Sequence, residues 1–175
     1  MFISILQLKL ETSHDNFEKT SQPTIPNQTT SKTLKLQNSP LKIEASEADY
    51  LYIETSQLPN AGKGLFSAIK IYRDEIISIF KGEILTEIEA KNRVDRNLDK
   101  YFINMIDGTI MDSMNKACYA KYANDGEAFG KSQFQNNAKI TLDDENNVCI
   151  IATKNIKSYQ EIFCSYGKKY WKKHR

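Results

Sequence analysis

Cysteine and histidine are both scarce in this sequence, with three cysteines (Cys118, Cys149, Cys164) and two histidines (His14, His174) among 175 residues. The cysteines are widely spaced, odd in number and form no CxxC pair, so they imply neither a zinc knuckle nor a disulfide framework. Reduced thiols in a reducing compartment are the simplest reading. The histidines fall near the two ends, in segments expected to be mobile, where no packed pocket would hold a nucleophile's base or a metal ligand. No metal is therefore expected. Long apolar runs are lacking too. The opening MFISILQLKL is broken by Ser4 and Gln7, follows no positive residue and has no small-residue cleavage site, which argues against a signal peptide. Nothing later reaches the length of a membrane span. A large excess of one charge is also missing: 24 basic and 22 acidic side chains leave a net +2. Such a balance does not steer the chain to nucleic acid, so neither a direct nucleic-acid partner nor a membrane is expected. The expectation is a soluble intracellular protein, nuclear or cytoplasmic.

From about Thr12 to Pro40 the chain is rich in Thr, Ser, Gln, Asn and Pro with few apolar anchors. It buries too little surface to offset its ordering entropy, so residues 1–48 are expected to be a disordered tail and residues 49–175 the folded domain. The alternation in Phe2 to Leu10 is compatible with a short strand, but an unstructured start is preferred. From Tyr50 onward short β-prone runs alternate with turn residues. Tyr50 to Glu54, Gly64 to Ile69, Ile76 to Lys81 and Glu83 to Leu85 read as strands. Thr86 followed by Glu89 is a capping box that predicts a helix through about Asn97. Asp107-Gly108 predicts a hairpin between Tyr101–Ile106 and Thr109–Asp112, and Asp143 to Asn147 a second between Asn137–Leu142 and Val148–Thr153. Lys116 to Asn124 is read as a short helix, and Glu161 to Ser165 as a last strand. Many short strands with one modest helix predict a mostly β fold.

Gly62-Lys63-Gly64 lacks the third glycine and following helix of a dinucleotide fingerprint, and lacks the spacing of a P-loop. Alone it is a turn. Its significance comes from three later segments in a fixed order: Phe80-Lys81-Gly82-Glu83, then Asp112 with Ala120-Lys121-Tyr122-Ala123-Asn124-Asp125, then Glu161-Ile162-Phe163-Cys164-Ser165-Tyr166-Gly167. This series resembles the SET-domain family of protein lysine methyltransferases, from about Tyr50 to the C-terminus. The resemblance implies a SET-type fold of small curved sheets, one or two short helices and a knot-like C-terminal crossing. It also implies transfer of a methyl group from S-adenosylmethionine to a lysine side chain of a protein substrate, histone or otherwise.

Residue by residue, the resemblance implies that Gly62, Lys63 and Gly64 cradle the methyl donor through backbone atoms, which glycine lets approach closely. It places Asn124 and Asp125 at the donor as well, in the family's Asn-His pair, and at the crossing together with Asn137. Tyr166 is the implied catalytic residue, between donor and target amine. Tyr101, Phe163 and Cys164 are candidates for the wall of the lysine channel, and the small Cys164 would leave space for di- or trimethylation. The donor is already activated, so positioning and desolvation suffice, without a covalent enzyme intermediate. Asp125 departs from the family's histidine, Gln160 stands where a glycine is usual, and no cysteine cluster follows Tyr166. Phe129 to Gln135 reads as an insertion, and Tyr170 and Trp171 as aromatics that fold back on the site or seal the core. These departures keep open an alternative: a SET-like interaction module without catalysis.

Overall fold

Runs of only two to five β-prone residues, interrupted by turns, do not build one wide sheet, and among the described residues they make three small ones. The structure is a computed structural model that describes residues 3–4, 41–127 and 132–174. One sheet joins β1 (Ile3–Ser4), β7 (Phe102–Asn104), β8 (Ile110–Asp112) and β6 (Glu83–Leu85), in that order. The second runs β2 (Leu41–Lys42), β5 (Glu75–Ile79), β10 (Val148–Ala152), β9 (Ala138–Leu142). The third is β11 (Glu161–Ile162), β4 (Lys63–Ser67), β3 (Leu51–Thr55). Among the described residues there are also three short helices, α1 (Glu47–Tyr50), α2 (Glu87–Asp95) and α3 (Lys168–His174), and a 3-10 turn at Ala120–Tyr122. The mostly β architecture read from the sequence is the one present.

Strand β10 carries the core. Its run Val-Cys-Ile-Ile-Ala is buried at every position, between β5 and β9, as expected for a strand covered on both faces. Leu65, Ile71, Ile77, Ile103, Ile156 and Ile162 join it in one apolar cluster.

Local signals acted where they were placed. Thr86 accepts from Glu89 N while the Glu89 carboxylate accepts from Thr86 N, closing the capping box of α2. The helix ends at Asp95, and Asn97 turns away with φ = 56°. Gly108 takes φ = 88° in the first hairpin, where Asp107 also accepts from Thr109 N at 2.9 Å. In the second, the Asp143 carboxylate accepts from the backbone N–H of Glu145 and of Asn147. The helix expected over Lys116 to Asn124 shrinks to the single 3-10 turn.

Two features precede the expected boundary at residue 49. Leu41–Lys42 pairs in parallel with β5, and the Glu47 carboxylate accepts from Ile79 N and Ser78 Oγ. These contacts tie Leu41–Lys42 and Glu47 to β5, ahead of the expected boundary. Ile3–Ser4 pairs with β7, while residues 5–40 lie outside the described residues.

A polar clamp fixes α2 to its sheet. The Arg93 guanidinium bonds Glu83 on β6 and the wholly buried Asp112 on β8. Arg93→Ala leaves Asp112 without that cation, and we expect a loss of about 3 kcal/mol in urea denaturation. Arg93→Lys should recover only part of it, because an ammonium cannot fork to both carboxylates. The residue after Asp112 gives the opposite sign. Ser113 is buried and its hydroxyl has no hydrogen-bond partner among the described residues. Ser113→Ala should stabilise by about 1 kcal/mol, read as a higher denaturation midpoint at unchanged slope.

Candidate functional site

The β3–β4 loop closes on itself, with Ser56 N donating to Gly62 O at 2.8 Å. Gly62 takes φ = 74°, and a Cβ there would meet nothing within 4 Å, so its backbone borders open space. Gly64 is different. A Cβ on Gly64 would fall 2.2 Å from Glu161 Oε1. That carboxylate is wholly buried, accepting from Ser56 Oγ at 2.6 Å and from Gln57 N at 2.7 Å. Asn124 completes the tie, its amide donating to Lys63 O at 3.0 Å and to Glu161 Oε1 at 3.4 Å. The loop and the final motif are thus one unit.

The segment after Glu161 passes between two others. Cys164 N donates to Asn124 O on one side. On the other, the Asn137 side chain donates to Glu161 O and accepts from Phe163 N, at 2.8 and 2.9 Å. Parallel bridges Asn124–Phe163 and Ala138–Cys164 bracket the strand. This is the knot-like crossing. It delivers the chain to Tyr166, whose hydroxyl donates to Ala123 O at 2.9 Å. Burial, then Cys164, Tyr170 and Asp125, push the Tyr166 phenol well above its usual value. Tyr166 is therefore a neutral phenol across the physiological range.

A cavity of about 410 Å³ opens at this junction, lined by Gly62, Lys63, Tyr101, Lys121, Tyr122, Asn124, Asp125 and Tyr166, with Tyr170 and Trp171 from α3. Its size is that of a small-molecule site. Residues 62–167, from the first glycine of the loop to the glycine after Tyr166, match the family model of the SET domain.

The chain belongs to the SET-domain family. Members of this family are, in general, S-adenosylmethionine-dependent protein lysine methyltransferases. The same fold is found in a solved structure, a humanized mutant of the Chaetomium thermophilum Polycomb Repressive Complex 2 bound to the inhibitor GSK126. The likeness has a TM-score of 0.55 and 24% identity, over 67% of this chain and 15% of that one. This SET-domain chain therefore spans a small part of that protein. No curated protein matches the sequence.

The structure brings Gly62, Lys63, Asn124, Asp125, Tyr166 and Tyr101 to one cavity. Gly64, Phe163 and Cys164 do not line it; Gly64 instead backs onto the Glu161 carboxylate. Phe163 packs on Phe134 with ring centroids 5.3 Å apart and against Gly126. Cys164 is fully buried, its Sγ 3.7 Å from Ala123 O, and burial pushes its thiol up. The insertion expected over Phe129 to Gln135 lies outside the described residues up to residue 131. Among the described residues no group of three or more His, Cys, Asp or Glu side chains is placed to hold a metal, and no helix is long and apolar enough to cross a membrane.

Glu161 is the site residue that the sequence reading passed over. It opens the last motif of the ordered set without a role assigned to it, and its own signal is that of an acid heading the apolar run Glu-Ile-Phe-Cys. Alternation along a strand that buries this run buries its carboxylate as well, and a buried carboxylate requires donors.

Proposed function

We propose that this SET domain binds S-adenosylmethionine in the 410 Å³ cavity and transfers its methyl group to a lysine of a protein substrate. The observation that carries this reading is the convergence of Gly62-Lys63, Asn124 and Tyr166 on a single cavity. The cavity suits the donor chemically. Open space at Gly62 leaves backbone free for close approach. Lys63 supplies positive charge for a carboxylate, and the faces of Tyr166, Tyr101 and Trp171 suit a cation. S-adenosylmethionine supplies a methyl group already activated on a sulfonium.

The protein's own task is to orient a neutral amine in line with that methyl and to exclude water. An unperturbed lysine has a pKa of about 10.4, so only about one in a few thousand is neutral at pH 7. Loss of hydration inside the cavity, and the cationic Lys121 held by three carbonyls at 2.9 to 3.0 Å, both favour the uncharged amine. Tyr166 stays protonated, so it orients the amine and does not remove its proton. The proton leaves to solvent before the amine enters. We assign the substrate as a lysine-bearing protein, histone or otherwise, met in the nucleus or cytoplasm, and the folded unit as residues 49–175 with the preceding strand pairing.

A second reading has one observation behind it. Asp125 replaces the family's histidine, which fits an interaction module without catalysis. Calorimetric titration with S-adenosylmethionine, followed by labelled donor with a histone mixture and cell extract, separates the two. Binding with label on protein supports the enzyme; no binding supports the module.

A further inference from the structure

Asp125 is 4% exposed, and both of its oxygens are in use. Oδ2 accepts from Tyr166 N and from the indole Nε1 of Trp171, each at 2.9 Å. Oδ1 accepts from Asn136 Nδ2 at 3.0 Å and from Glu127 N at 3.1 Å. Four donors converge on one side chain. Only an ionised carboxylate accepts four hydrogen bonds at once; a neutral imidazole accepts one. The acid is therefore matched to its surroundings and is not a damaged copy of the family's histidine. Around it the three rings form a cluster. Tyr166 stacks on Trp171 at 6.0 Å, and Tyr170 meets each of the two edge-on at 4.9 Å. All three rings line the cavity, as Asp125 does.

We propose that Asp125 is a positioning residue that latches the aromatic helix α3 over the donor cavity through Trp171, while fixing the backbone of Tyr166. The proposal rests on the reading of that cavity as the methyl donor's site. It predicts a trade: where other members of the family carry histidine at this position, this protein carries an acid because Trp171 must be held.

Trp171 is the only tryptophan of the 175 residues, so its emission reports the latch without ligand. Asp125→Asn keeps the shape but turns one acceptor into a donor, opposing N–H groups. Asp125→His restores the family's residue. For both we expect red-shifted Trp171 emission, stronger acrylamide quenching, unchanged far-UV dichroism and a Kd for S-adenosylmethionine raised at least tenfold. Trp171→Phe keeps a ring and removes the N–H; it should weaken the donor several-fold, and Asp125→Asn should cost less in that background. Tighter donor binding by Asp125→His, or unchanged emission in both Asp125 variants, overturns the latch. Should the Asp125 variants not fold, undiminished donor affinity in Trp171→Phe overturns it. A parent protein that binds no donor removes the donor reading, and the emission comparison then decides the latch alone.

Discussion

Tyr166→Phe should lower methyl transfer by about 10²- to 10³-fold, the usual cost of losing one well-placed hydrogen-bonding group at a reacting centre. Binding of S-adenosylmethionine should change by only a few-fold, because the ring and its stacking remain. The argument is one of bond counting. The Tyr166 hydroxyl has one proton, which it gives to Ala123 O at 2.9 Å, so its lone pairs are what it can offer an incoming amine. Phenylalanine offers neither. Phenol ionisation does not set the rate at ordinary pH, since burial and then Cys164 hold the phenol well above its usual value. Below that range transfer should rise with pH as more lysine substrate becomes neutral. The structural cost is modest, about 1 kcal/mol for the lost bond to Ala123. Single-turnover transfer of labelled methyl checks the chemistry, and urea denaturation the fold. Unchanged turnover in the folded variant would take Tyr166 out of the catalytic role.

What the sequence makes legible is local. The Thr86–Glu89 box, Asp107-Gly108 and the Asp143–Asn147 turn each involve side chains a few positions from the backbone they bind. Their chemistry is complete within a window of the sequence. The site itself depends on bonds between distant positions, among them Asn137 to Glu161 across 24 residues, Asn124 to Glu161 across 37 and Ser56 to Glu161 across 105. No window contains them. The order of the motifs pointed to the neighbourhood of Gly62, Asn124 and Tyr166, but not to the buried carboxylate that joins it. Phe163 shows the same limit from the other side. Its place in the final motif suggested the channel wall, yet its backbone is held on both sides by Asn137 and its ring lies on Phe134. Likewise, nothing within the first 48 residues says that Leu41–Lys42 adds to β5, because a two-residue strand has no pattern of its own.

Gly64→Ala and Gly62→Ala should separate sharply, although both change one glycine of the same loop. At Gly62 the added methyl enters open space, and its cost is the strain of φ = 74°, about 1 kcal/mol. At Gly64 the φ is ordinary and the obstacle is steric: Glu161 Oε1 at 2.2 Å, Cδ at 2.8 Å and the Ser56 backbone at 3.2 Å. A carboxylate at the end of a flexible chain would normally swing aside. Here it is fully enclosed and bonded to Ser56 Oγ and Gln57 N, so moving it strips a buried charge of its donors. We expect a loss of about 3–4 kcal/mol for Gly64→Ala. The displaced Glu161 also releases Asn124 from one of its two partners, so binding of S-adenosylmethionine should fall below detection in calorimetry. The double variant Gly64→Ala with Glu161→Ala decides the cause. If the clash with Glu161 is responsible, the double variant is no less stable than Glu161→Ala alone. If the two losses simply add, the glycine is needed for a reason other than the carboxylate behind it.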